Sequence, residues 1–318
     1  MSAKVRASSL SQVFVVALSS GVAMGLPAHD VEAAPFESGV TCIDIGSRWS
    51  FPNVEKLRLR QVVAEAFRSP TGRLSLNTAR KAGTPLCYDK ALQEPTPCGS
   101  KLTGQLWGDK LRLNADTELV SQAKTAVHEA RHKYQFQRGI SWSKTDGNYR
   151  EADRIAVYSA MEADSRVISI LFAWEMEQAG RPEHLQELKN QPWYAHMVEA
   201  FEESLSRKPG DILEASRAAF LTFRSIPDLA KDYDHQVASW IEKYPFEAFE
   251  PEMPADVLMT HGQMQALGNL GRYGNYMTPD VMAYIAGLAD QDAFDNLMAA
   301  RVEERKDRGL GESAPVCP

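Results

Sequence analysis

The sequence predicts a predominantly α-helical α+β protein, and three observations carry that class. Apolar residues recur at helical spacing over most of the chain, in blocks punctuated by Gly and Pro. One stretch alone, GQLWGDKLRLNAD (104–116), places apolar pairs either side of a Gly-Asp turn, as a short hairpin does. Finally, 318 residues at 44% hydrophobic content suffice for a sizeable core, in one large domain or two smaller ones. Strands are few and no internal repeat is visible, so the class is α+β.

Taken in order, residues 1–33 read as an export signal. Lys4 and Arg6 precede the apolar VFVVALSSGVAMGL, and VEAA sets Val31 and Ala33 at the spacing a signal peptidase reads. The mature chain then begins near Ala34, with an earlier cut after Ala28 as the alternative. NVEKLRLRQVVAEAF puts Val54, Leu57, Val62, Ala64 and Phe67 near one broad helical face. SPTGRLSLNTARKAG has a helix start at Ser69-Pro70 and a stop at Gly83. Residues 84–105, rich in Pro, Gly and Thr, read mostly as loop. After the hairpin a helix begins, capped by Asn114 or Asp116, and ends at Gly139. A second long helix runs from about Tyr149 to Ala179 and stops at Gly180-Arg181-Pro182. Residues 183–305 read as further helices, broken at Pro192, Pro209-Gly210, Pro227, YPFEAFEPEMP, the Gly-rich 268–274 and Pro279. The expected organisation is an export signal (1–33), a core (34–180) and a helical C-terminal region packing on it (181–318).

Charge and cysteine content narrow the function. The formal net charge is −7 with no Lys/Arg-rich block, so nothing favours a nucleic-acid partner. No apolar run is long enough for a stable membrane span. Four cysteines permit two disulfides in an exported protein. Cys87 and Cys98, close in sequence, are the expected pair; Cys42 and Cys317 would staple the mature ends.

The chemistry lies in TAVHEARHKYQF (125–136). Positions four apart share a helix face, so His128 and His132 can aim both imidazoles at one point. Two such ligands can chelate one zinc ion, and Glu129 can act on a bound water as a base. With seven histidines in the chain, a chance match to this pattern is on the order of one in a hundred. A third ligand is expected from another element. The following helix offers Glu151 and Glu162, each opening a Glu-Ala-Asp triplet and sharing a face; helix geometry alone does not choose between them.

HEARHKYQ followed by MEADSRV and AWEMEQAG, with LRLN before the helix, resembles an uncharacterised bacterial family of zinc metallopeptidase-like proteins. The likeness is strongest over residues 70–180, and the plan is similar to that of the gluzincin metallopeptidases. The resemblance implies a zincin-like pair of metal-binding helices beside a small β-sheet. It also implies Zn²⁺ as cofactor, Glu162 as third ligand and Asp164 as a residue supporting the ligands. Ser165 stands where that family usually has alanine. Asp164 follows Glu162 by two residues and so points off that ligand's face.

Other candidates carry structural readings beside the functional ones. Asn114 can bond a substrate backbone or cap the helix. Gln135 can touch the site or serve as a structural hydrogen-bonding residue, and Arg131 reads as solvated or ion-paired. Tyr158, His261, Tyr273 and Tyr276 are candidate donors to a peptidase oxyanion, or packing and surface residues. His184, His196 and His235 read as surface or core histidines. The expected activity is hydrolysis of a peptide or protein substrate. The alternatives are a zinc-binding or helical envelope protein without turnover, which His261 as a fourth ligand would favour, and a zinc hydrolase of non-peptide amides.

Overall fold

The computed structural model describes residues 15–18, 39–46, 53–95, 102–140, 151–226, 229–230, 233–234, 237–238 and 259–307. The fold is α+β and predominantly helical. Its strands are β1 (Val15–Leu18), β2 (Val40–Ile43), β3 (Leu86–Asp89), β4 (Gly104–Trp107) and β5 (Lys110–Leu113). They form one mixed sheet in the order β1-β4-β5-β3-β2, antiparallel except for the β3–β5 pair. The expected hairpin is β4–β5, closed by Gly108-Asp109 between Trp107 and Lys110.

Strand β3 corrects the loop expected over 84–105. LCYD is four residues long and buried on both faces, so it carries no alternation of apolar and polar residues. The same strand corrects the disulfide pairing. Cys42 and Cys87 lie opposite each other across β2–β3 with Cα atoms 4.0 Å apart, and they are bonded. Cys87 therefore does not pair with Cys98. Nearness in sequence had suggested that pair, but strand register decides which cysteines can meet. Cys98 and Cys317 lie outside the described residues.

Helices α1 (Val54–Ala66) and α2 (Pro70–Lys81) start at side-chain caps. Asn53 accepts from Lys56 N, and Ser69 accepts from Gly72 N beside Pro70 at the first helical position. α3 (Leu119–Gln137) carries the histidine motif, packs against α1, α2 and the next helix, and lies beneath β4 and β5. Being surrounded, it is buried at every position from Gln122 to His132. It does not start on the expected cap. Glu118 holds the cap position without a side-chain bond, and Asn114 Oδ1 instead accepts from Asp116 N in the preceding turn. Gly139, at φ 70°, takes the left-handed conformation that ends the helix.

α4 (Glu151–Gln178) is the central helix, buried on every side from Ala152 to Ala173, so its charged residues meet other side chains rather than water. α5 (Glu183–Lys189), α6 (Pro192–Arg207) and α7 (Ile212–Thr222) pack against it, α5 touching α3 as well. α8 (His261–Leu267), α9 (Pro279–Gly287) and α10 (Gln291–Asp307) complete the described chain. One continuous apolar cluster runs from Ile43 and Leu111 through Val127 and Leu171 to Phe201, Phe220 and Ile285. Among the described residues no helix is long and apolar enough to cross a membrane.

Candidate metal centre

α3 and α4 face each other, and their facing sides bring together His128, His132 and Glu162. One ligand atom from each lies within 4.8 Å of the others, and all three residues are buried. His128 Nε2 and His132 Nε2 are 3.2 Å apart; His132 Nε2 is 3.5 Å from Glu162 Oε1, and His128 Nε2 is 3.9 Å from Glu162 Oε2. Ligands at the usual zinc distances, tetrahedrally arranged, lie about 3.4 Å from one another.

The tautomers follow from what the other ring nitrogens touch. His132 Nδ1 lies 2.8 Å from Gln135 Oε1, an acceptor, so Nδ1 carries the hydrogen and Nε2 the lone pair. Ser169 Oγ, 3.3 Å from His128 Nδ1, spends its own hydrogen on the Ser165 carbonyl at 3.0 Å and so accepts from that nitrogen, with Tyr194 Oη at 3.5 Å. Two lone pairs therefore face each other at 3.2 Å, close to Glu162 Oε1, which has no hydrogen-bond partner among the described residues. Such a set is repulsive by itself and is relieved by a shared cation, so the donor chemistry fits a divalent metal. Burial, His132 beside it and the Arg166 cation push His128 well below the usual imidazole range; burial takes His132 down to about 3. Both rings are thus neutral, the state that coordinates metal.

Glu129 is completely buried one residue on from His128. Its Oε2 accepts from Leu106 N of β4 at 2.8 Å, while Oε1 has no hydrogen-bond partner among the described residues. Burial, then the charge of Glu162, raise its carboxyl well above the usual range. The sheet thus pins one oxygen of the candidate base and not the other. Close approach makes this possible: at Gly104 a Cβ would sit 2.3 Å from Thr125 Cγ2 and 2.9 Å from Arg112 O.

Asp164 points away from Glu162's face, yet it reaches the site indirectly. Gln135 Nε2 donates to Asp164 Oδ2 at 2.8 Å while Gln135 Oε1 holds His132. Arg131 grips Asp164 through Nε at 2.6 Å and Nη2 at 3.0 Å, and Tyr276 Oη donates to it at 2.7 Å. Arg131 also donates to the carbonyls of Leu267 and Asn269, joining the Gly-rich segment to the motif helix. Ser165 Oγ lies 3.4 Å from His132 Nδ1.

The remaining candidates are placed as follows. Asn114 is buried and spends its amide on the carbonyls of Leu92 and Leu102, so it organises the turn before α3. Tyr158 is buried with its ring against Tyr233. Tyr273 donates to Glu175, at the far end of α4 from Glu162. Glu151 opens α4, about three turns from Glu162. His261 opens α8; its side chain, like that of Glu151, lies outside the described residues. His184 is buried against Glu65 at 2.9 Å; that carboxylate also binds Arg68 and Arg181, making an ion-pair network.

Sequence reasoning missed Tyr194, Ser169, Arg166 and Tyr233. The first two flank His128. Tyr233 Oη donates to Glu162 Oε2 at 3.2 Å, and Arg166 Nη2 donates to Tyr233 Oη at 2.9 Å. The sequence holds one signal: Arg166 is a charge four residues beyond Glu162, and so on the same helical face as that ligand candidate.

No curated protein and no solved structure matches the chain. A family model does, over residues 35–277, which takes in the whole of this site and most of the chain. This chain belongs to the family described as "Putative metallopeptidase family (DUF6782)".

Proposed function

We propose that the protein is a zinc-dependent metallopeptidase, with His128, His132 and Glu162 holding the metal and Glu129 as the base. The observation that carries the reading is the convergence of two imidazole lone pairs and a Glu162 oxygen beside a second buried carboxylate, one oxygen of each carboxylate having no hydrogen-bond partner among the described residues. Three protein ligands leave a position open, as in catalytic rather than structural sites. When bound, the ion supplies a Lewis acid that acidifies water and polarises a carbonyl. Glu129 Oε1 takes the proton of the attacking water and returns it to the departing amine nitrogen. Leu106 N holds the other oxygen of Glu129 during both transfers. Gln135, backed by Asp164 and Arg131, fixes the ring of His132.

The substrate class is a peptide or protein. Export belongs to the same reading, and the Cys42–Cys87 disulfide suits an oxidising compartment. Val15–Leu18, inside the segment read as export signal, pairs with the outer edge of β4. Its removal would open that edge, beside Glu129, to an extended peptide.

The test is metal content of the purified mature chain and its His128→Ala, Glu162→Ala and Glu129→Gln variants, followed by peptide-library hydrolysis. The expected result is about one zinc per wild-type chain, lost in the first two variants and kept in the third. Glu129→Gln should lower kcat by about 10²–10⁴. A wild type that stays metal-free in added zinc refutes the reading. Bound zinc without hydrolysis of any peptide moves the assignment to the non-catalytic or non-peptide alternatives.

A further inference from the structure

Arg166 is one of the largest fully buried side chains among the described residues, and the geometry around it is unusual for a buried cation. Such cations are ordinarily paired with a carboxylate. Here the guanidinium carbon sits 4.6 Å from the ring centre of Tyr194, 5.7 Å from that of Tyr233 and 5.8 Å from that of Phe223. Nη2 donates to Tyr233 Oη at 2.9 Å, while Nε and Nη1 have no hydrogen-bond partner among the described residues. Because Tyr233 Oη already accepts from Arg166, its own hydrogen is directed elsewhere, and it goes to Glu162 Oε2 at 3.2 Å. Arg166 lies four residues after Glu162, so both side chains leave the same face of α4.

We propose that Arg166 and Tyr233 are positioning residues for Glu162. The guanidinium fixes the tyrosine hydroxyl, and the hydroxyl holds one carboxylate oxygen so that the other faces the histidine pair. The inference rests on the metal-site reading above. A direct Arg–Glu ion pair would occupy the oxygens a metal needs. The interposed tyrosine passes on the orientation with a single hydrogen bond and leaves Oε1 without a donor among the described residues. Partners behind a metal ligand ordinarily shift metal affinity 10–100-fold when removed.

The experiment measures zinc affinity of the full chain by competition with a chromophoric chelator, and the visible spectrum of the cobalt-loaded protein. The proteins are wild type, Tyr233→Phe, Arg166→Lys and the double variant. Tyr233→Phe should bind zinc about 10–100-fold more weakly and shift the cobalt bands, a change of ligand geometry that a loss of stability alone would not produce. Arg166→Lys should weaken binding too, yet the double variant should bind no more weakly than Tyr233→Phe alone, because Arg166 acts through that hydroxyl. Tyr233→Phe keeps the ring, so it decides the matter even where Arg166→Lys does not fold. Wild-type affinity in Tyr233→Phe, or losses that multiply in the double variant, would overturn the relay and leave the metal site standing. A wild type that binds neither zinc nor cobalt removes the metal site and the relay together.

Discussion

At the scale of single residues, the site sets two opposed titrations against each other. In the metal-free protein, burial holds His132 down to about 3 against an ordinary 6.5, so its contribution to stability is full above 6.5 and is lost as pH falls towards 3. Glu129 behaves oppositely. Its folded value lies well above 4.5, so its contribution is full below 4.5 and is lost as pH rises through the folded value. Comparing Glu129→Gln with wild type, both metal-free, cancels the histidine part. The thermal midpoint of the variant should exceed that of wild type by a margin that widens as pH goes from 5 to 8. A constant or shrinking margin would show that Glu129 is not held protonated. The residues of this balance were legible in the sequence, because the 3.6-residue period fixes what four-apart positions share. Their supports were not. Tyr194 and Tyr233 approach His128 and Glu162 from 66 and 71 positions away, and no local pattern encodes such a meeting.

At the scale of elements, the tightest joint is between β4 and α3. Leu106 N reaches Glu129 only because Gly104 has no side chain to hold Thr125 and Arg112 away. Gly104→Ala should therefore destabilise the fold by about 1–3 kcal/mol through overpacking. It should also lower kcat while leaving zinc content intact, since the ligands sit on other positions. Urea unfolding and metal analysis of one variant separate the two effects; unchanged kcat would detach β4 from the base. The other joint is the Cys42–Cys87 bond, which closes 45 positions of chain. Its loss in Cys42→Ala should cost up to about 4 kcal/mol by loop entropy, read as a lower urea midpoint that reducing agent reproduces in wild type. Pairing these cysteines required recognising β3, a strand too short and too evenly buried to show in LCYD. The hairpin beside it was legible because its turn chemistry is local.

At the scale of the whole molecule, the region after Gly180 does more than follow the two helices that carry His128, His132 and Glu162. Tyr194 touches His128, Tyr233 bonds Glu162, Tyr276 bonds Asp164, and the carbonyls of Leu267 and Asn269 accept from Arg131. The apolar cluster is likewise continuous across this boundary. The helices themselves were readable from spacing and Pro/Gly breaks. Their role as buttresses was not, because it depends on which face of α4 each one meets. A site held from both sides should make the chain one cooperative unit. Zinc at about a thousand times its Kd should add about 4 kcal/mol to unfolding, raising a single thermal transition by on the order of 10 °C. Hydrogen exchange should then slow in α6 and α7 as well as in α3 and α4. Two separate transitions, or protection confined to α3 and α4, would show instead that the C-terminal helices fold apart from the metal centre and contribute only contact, in which case Tyr194 and Tyr233 could be removed without loosening the metal.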